Sequence, residues 1–234
     1  MKKQALVVQS GGFDSALCLY MAKLMYGAPA VYSLSFDYGQ RHRFEVEAAK
    51  AICQSWSVDH RVISLPALAE LTENSLTNLD LPISYGVDGK PNTLVVGRNG
   101  LMAHLAALCA HQIGAHAIYL GVIADDGKSC GYRDCDRFYM DKIEELLRID
   151  LNDSSFAIHT PLVALTKFQA MELAEELGIL PFLLSHTISC YEGLFDPGCG
   201  SCPACLLRQE ARLRIEEKGQ RVSSSAMANA CLCS

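Results

Sequence analysis

Nothing in this 234-residue chain approaches the ~18 consecutive apolar residues that a helix needs to cross a bilayer. The opening Met1-Lys2-Lys3 leads into an apolar run that stops within a few residues at Gln9-Ser10-Gly11-Gly12, too short for the core of a secretion signal. A cytoplasmic protein is therefore expected, with no membrane contact. An excess of basic residues is missing too: the net charge of −6 argues against a broad nucleic-acid-binding face and favours a small substrate. Internal repeats and low-complexity tracts are absent. What remains is 50% apolar and 20% charged, which excludes disorder and allows a substantial core. Eleven cysteines in a reducing compartment point to metal or redox chemistry rather than disulfides.

Short apolar, β-branched runs recur at Gln4 to Gln9, Ala30 to Phe36, His60 to Leu65, Ala117 to Val122 and Phe156 to His159, each the length of a buried strand. Helical spacing fills the gaps. Leu17, Met21, Leu24 and Met25 share one face; Leu101, Leu105 and Leu108 another; Tyr139, Ile143, Leu146 and Leu147 a third; Met171, Ala174 and Leu177 a fourth. Phe44, Ala48, Ile52 and Trp56 complete the alternation. Strand alternating with helix predicts an α/β fold: a parallel sheet covered on both faces, with ligands at the carboxyl ends of the strands. Ser10, Asp37, Arg98 and Gly121 should then share one rim. Residues 72–97 lack periodicity and read as a mobile lid or binding loop.

Where the first strand gives way to the first helix stands Ser10-Gly11-Gly12-Phe13-Asp14-Ser15. Glycines there let several backbone N–H groups converge, and the helix N-terminus adds positive potential, so an anion such as a polyphosphate is expected. No lysine follows the glycines, which excludes the usual P-loop arrangement. After the second strand comes Phe36-Asp37-Tyr38-Gly39-Gln40-Arg41-His42-Arg43. Asp37 could accept from a ribose or help hold Mg²⁺, and Arg41 and His42 could neutralise phosphate. Arg98 in Gly97-Arg98-Asn99 could reach a phosphate or carboxylate, while Asn99 reads as a helix cap. Further on, Gly121 to Asp126 and Gly131-Tyr132-Arg133-Asp134-Cys135-Asp136 bring a ring and several carboxylates to a strand end. They could stack on a flat heterocycle and accept from a guanine-like amino group, or form a solvated loop capped by Asp134 or Asp136.

The strongest metal signal is Cys190-x8-Cys199-x2-Cys202-x2-Cys205 among Asp196, Pro197, Gly198, Gly200 and Pro203. Four thiolates so spaced suit tetrahedral Zn²⁺ in a closed structural site, with an iron–sulfur cluster or a redox pair as alternatives. Cys18, Cys53 and Cys109 sit in apolar helical contexts and read as core.

The glycine loop resembles the SGGxDS loop of the ATP-pyrophosphatases, which split ATP between its α- and β-phosphates. Taken together, SGGFDS, FDYGQRH, GRN, GYRDC, TPLVALTK and SCY-x8-CGSCPAC-x2-R resemble the 7-cyano-7-deazaguanine synthase family of the PP-loop superfamily, from Gln9 to about Arg208. The resemblance implies an adenine nucleotide α-hydrolase-like, Rossmann-like sheet over 1–185, a zinc-binding appendage over 186–220, a flexible tail over 221–234, and commonly a homodimer. It implies ATP, Mg²⁺ and Zn²⁺, with Ser10, Gly11, Gly12, Asp14, Ser15, Phe36, Asp37, Gln40, Arg41, His42 and Gly121 at the nucleotide. Arg98, Asn99, Asp126, Tyr132 and Asp134 would hold the deazapurine. Asp14, Ser15, Arg98 and Lys167 would act in catalysis, and Cys190, Cys199, Cys202 and Cys205 would bind zinc. The implied chemistry is adenylation of 7-carboxy-7-deazaguanine, amide formation with ammonia, and ATP-dependent dehydration to the nitrile. No cysteine occupies position 2 and no glutaminase segment is evident, so free ammonia is the expected donor. The family pattern has Pro where this chain has Val96 or Arg133, and Arg where it has Asp136. The last two changes fall in the segment implied to hold the base, and a relative handing the activated deazapurine to another amine, even one on a protein, is the alternative, alongside a tRNA thiolase.

Overall fold

All five apolar runs become strands of one sheet in the computed structural model: β1 (Ala5–Val8), β2 (Val31–Asp37), β3 (Asp59–Ser64), β4 (Ala117–Leu120) and β5 (Ala157–His159). The structure describes residues 2–40, 43–72, 74–78, 80–82, 84, 86, 92–124, 132–190, 192–202, 204–215 and 217. Every pairing is parallel, in the order β3-β2-β1-β4-β5. β1 lies at the centre, with Ala5 level with Val31 on one side and Ala117 on the other. The chain builds outward from β1 to β3 and then crosses to β4. Strand order therefore reverses between β1 and β4, opening a crevice at their carboxyl ends.

Because side chains alternate along a strand, β1 feeds two cores. Ala5 and Val7 face one containing helix α1 (Phe13–Tyr26) and the end of α2 (Arg43–Ser55). Leu6 faces the other, with Leu68 of α3 (Ala67–Leu71), Ala103 of α4 (Arg98–Ile113) and Met140 of α5 (Arg137–Asp150). Helices α6 (Lys167–Glu176) and α7 (Leu180–His186) complete the first core, and Ala211 and Ile215 of the last helix, α8 over 204–215, pack there as well. Among the described residues, no helix is long and apolar enough to cross a membrane.

The helix faces differ from the leucine spacing in an instructive way. In α4 the sheet side is the small-residue set Gly100, Ala103, Ala106, Ala107 and Ala110 with Met102, while Leu101 and Leu108 are 42% and 54% exposed. Small side chains let that helix approach the strands closely, which the bulkier leucines would prevent. In α1 the buried positions run through Phe13, Ser15 to Leu19 and Ala22, because this half is enclosed on all sides. Its far end emerges from the fold, leaving Leu24 and Met25 57% and 69% exposed. Phe44 and Leu146 are likewise exposed. Leu17→Ala should therefore cost about 2–5 kcal/mol, and Leu24→Ala less than about 0.5 kcal/mol, by urea unfolding.

Candidate active site

The crevice holds a cavity of about 350 Å³, the size of a small-molecule site. Its floor is the loop from Gln9 to Ser15. Gly11 has φ +88, and a Cβ there would lie 1.9 Å from the backbone oxygen of Glu45, so only glycine lets the loop meet the start of α2. A Cβ on Gly121 would stand 2.7 Å from the backbone of Asp14 and Ser15, so the end of β4 also abuts the loop. The loop N–H groups are held by nearby side chains. Ser10 donates to Ser15 Oγ at 3.1 Å, Gly11 to Gln9 Oε1 at 3.1 Å and Gly12 to Ser10 Oγ at 3.2 Å. The Ser15 hydroxyl also donates to Gln9 Oε1. Gln9 Nε2 is buried without a hydrogen-bond partner among the described residues, an unsatisfied donor beside the cavity that suits an anionic ligand.

Lys167 is the first residue of α6, whose start is fixed by a capping box between Thr166 and Gln169. Its ammonium reaches back to Asp14 at 2.6 and 2.8 Å and lies 4.9 Å from the Phe13 ring centroid. Arg98 opens α4 from the opposite wall. It donates to Tyr38 Oη at 3.4 Å and sits 5.8 Å from the Tyr132 ring centroid. Burial works against its charge, but Tyr38, Tyr132 and Asp134 outweigh that and raise its pKa above the ordinary arginine value. From the long loop, Leu76 and Thr93 line the cavity, and Thr93 shares a 2.8 Å hydrogen bond with Tyr132.

Ser10, Gly12, Asp14, Ser15, Phe36, Gln40, Arg98, Asn99, Gly121, Tyr132 and Lys167 all line this cavity, and Gly11 shapes its floor. Asp37 and Asp134 do not line it. Asp37 accepts from the Gly39 N–H at 3.1 Å, closing the turn after β2. Asp134, 3% exposed, accepts from the Asn99 N–H at 2.8 Å and so caps α4 from outside that helix. Asn99 is thus the capped residue rather than the cap. Asp136 caps α5, accepting from Phe138 at 2.7 Å, and both Asp136 and Arg133 are exposed away from the cavity wall. Arg41, His42 and Asp126 lie outside the described residues.

Sequence reading missed Glu45. An acid in the first turn of a helix is ordinarily a dipole partner, and here that signal hides a carboxyl on the cavity wall. Burial pushes Glu45 up to about 8, against the opposing pull of Arg98. Among the described residues, Asp14 and Glu45 are the carboxylates lining the cavity.

The sulfurs of Cys190, Cys199, Cys202 and Cys205 lie within 4.8 Å of one another, and none is in a disulfide. A tetrahedral site with Zn–S of roughly 2.3 Å needs such a spread. Backbone N–H groups point at the sulfurs: Cys199 to Cys190 Sγ and Cys202 to Cys199 Sγ, each at 3.3 Å. The hydroxyl and N–H of Ser201 and the Cys202 N–H pull the Cys199 thiol down to about 6, whereas burial raises Cys205. A Cβ on Gly198 would fall 2.4 Å from Cys205 Sγ, so glycine is required at that turn. The segment also supports the loop, since Ile188 donates to the Gly11 carbonyl at 3.0 Å.

The parallel sheet and its glycine loop define a Rossmann-like nucleotide-binding protein. The chain belongs to the family described as Queuosine biosynthesis protein QueC, which matches residues 4–216. It is accordingly an ATP-using enzyme of the deazapurine, queuosine type. Several solved structures are similar at low identity. The NH3-dependent NAD synthetase from Campylobacter jejuni subsp. jejuni is 13% identical over 78% of this chain and 67% of that chain, with a TM-score of 0.48. The U34-tRNA thiolase NcsA from Methanococcus maripaludis, which carries a 4Fe-4S cluster, is 15% identical over 94% and 67%, with a TM-score of 0.47. The NMN synthetase from Francisella tularensis is 18% identical over 84% and 71%, with a TM-score of 0.44.

Gly11→Ala should lose about 1–3 kcal/mol more stability than Gly178→Ala, because the latter also has positive φ but meets nothing within 4 Å; paired thermal melts measure the difference. Cys190→Ser should abolish stoichiometric bound metal by elemental analysis and lower Tm, as should chelation of the wild-type protein.

Proposed function

We propose that this protein is an ATP-dependent carbon–nitrogen ligase that converts 7-carboxy-7-deazaguanine and ammonia to 7-cyano-7-deazaguanine. The observation that carries this reading is one cavity lined by both the glycine–serine loop and the half-buried Arg98, within a chain of the QueC family. ATP is a substrate here. A carboxylate is a poor electrophile, and transfer to the α-phosphate of ATP gives it a good leaving group. The departing pyrophosphate would exchange the side-chain acceptors of Ser10, Gly11 and Gly12 for its own oxygens, with Lys167 close by. Arg98 would hold the acid, and Tyr132 would stack on the heterocycle. Ammonia then displaces AMP to give the amide, and a second ATP activates the amide oxygen so that its loss leaves the nitrile.

Mg²⁺, when bound, would neutralise charge on the phosphates, with Asp14 the carboxylate next to the loop. Zn²⁺ on the four cysteines would be structural: it would fix the segment that braces Gly11 and the start of α8, where Arg208 donates to the Leu184 carbonyl at 2.7 Å. The exposed positions of Arg133 and Asp136 favour the ordinary substrate over an altered one.

Purified protein incubated with ATP, Mg²⁺, 7-carboxy-7-deazaguanine and ammonium should give AMP, pyrophosphate and the nitrile by mass spectrometry. An acid-independent ATP–pyrophosphate exchange would sink the reading. An adenylate that reacts only with some other amine would move the protein to the alternative class of acyl transferases.

A further inference from the structure

Ammonia poses a proton problem that the loop, Lys167 and Arg98 do not solve. At neutral pH it is mostly ammonium, which has no lone pair with which to attack an acyl adenylate. The site therefore needs a base facing the same cavity, and the cationic groups already described are unsuited to the task. Of the two carboxylates on the wall, Asp14 is engaged by Lys167 at 2.6 and 2.8 Å. Glu45 is in neither a hydrogen bond nor an ion pair among the described residues. It projects from the first turn of α2, whose backbone touches Gly11 of the phosphate loop, and feels the charge of Arg98 across the cavity.

We propose that Glu45 is the general base that takes a proton from ammonium for the amide-forming step, an inference that rests on the ligase reading above. Its carboxylate accepts one proton from ammonium, giving ammonia and a neutral carboxyl. The nitrogen lone pair then forms the C–N bond to the acyl carbon. The C–O bond to the phosphate breaks with its electron pair leaving on AMP, and the second nitrogen proton goes to that departing phosphate. Glu45 returns its proton to solvent before the next turnover.

Such a carboxyl suits the task because burial has made it a stronger base than an ordinary glutamate. The titratable groups sharing its cavity are Asp14 of α1, Tyr38 after β2, Arg98 of α4, Tyr132 and Cys135 before α5, and Lys167 of α6. The opposing charge of Arg98 favours the ionised form, and approaching ammonium favours it further. Deprotonation is required for activity, so the rate of amide formation should climb as pH rises and level off above about 8.

The test uses Glu45→Gln, which keeps the shape and removes the base, and compares two nucleophiles. Hydroxylamine is largely unprotonated at neutral pH and needs no such help. Glu45→Gln should keep ATP–pyrophosphate exchange with 7-carboxy-7-deazaguanine and form the hydroxamate within about threefold of wild type, yet lose on the order of 100-fold in amide formation from ammonium. The break near pH 8 should disappear, leaving a rate that follows only free ammonia in solution. Equal losses with both nucleophiles, or no loss with ammonium, would overturn the proposal while leaving the ligase reading intact. Failure of the wild-type protein to catalyse exchange with this acid would instead bring down the ligase reading and the role of Glu45 with it.

Discussion

Backbone pressed against backbone at the carboxyl edge of the sheet is the constraint on which the site depends. Gly11 lies against the carbonyl of Glu45, and Gly121 against the first turn of α1, at separations that no side chain would permit. These contacts tie three elements to one loop: the end of β4, the start of α1 and the start of α2. Once they are fixed, the cavity groups have little freedom. Glu45 is brought to the wall by its own backbone, and Asp14 is placed where a lysine from a separately capped helix can reach it. The order of strands supplies the crevice, and the glycines supply its depth.

A second layer of support comes from far along the chain. Ile188, just ahead of the first cysteine of the cluster, donates to the Gly11 carbonyl, and buried Arg208 lies 3.3 Å from Asp196 while reaching the carbonyl of Leu184. Ala204 and Leu207, on the helix that carries Cys205, stand on the cavity wall itself. The thiol cluster is thus mechanically continuous with the glycine–serine loop, although no cysteine of the four lines the cavity.

Much of this was legible in the sequence because its signals are local and periodic. Five strands follow from five short apolar runs, the tight turn beside the cavity from glycines at a strand–helix junction, and the thiol cluster from spacing alone. What was not legible depends on elements distant in sequence. Asp134 carries the signature of a ligand-binding acid, yet its partner is the N-terminus of α4, a tertiary cap that no local pattern announces. Leucine spacing misplaced the buried face of α4, because close helix–sheet packing selects alanine and glycine. Glu45 was invisible for the opposite reason: an acid in a first helical turn has a sufficient local explanation, and only the approach of Gly11 and Arg98 gives it another.

Since Gln9, Ser10 and Ser15 already satisfy the amides of Ser10, Gly11 and Gly12, the resting loop leaves those three donors with partners. On the proposed reading, a diphosphate settling there would swap partners instead of filling a vacancy, and on its departure the glutamine and serines would close over the gap. Grip would be weakened and release quickened, a trade that would favour the proposed ligase, which would discard pyrophosphate twice for every molecule it finishes.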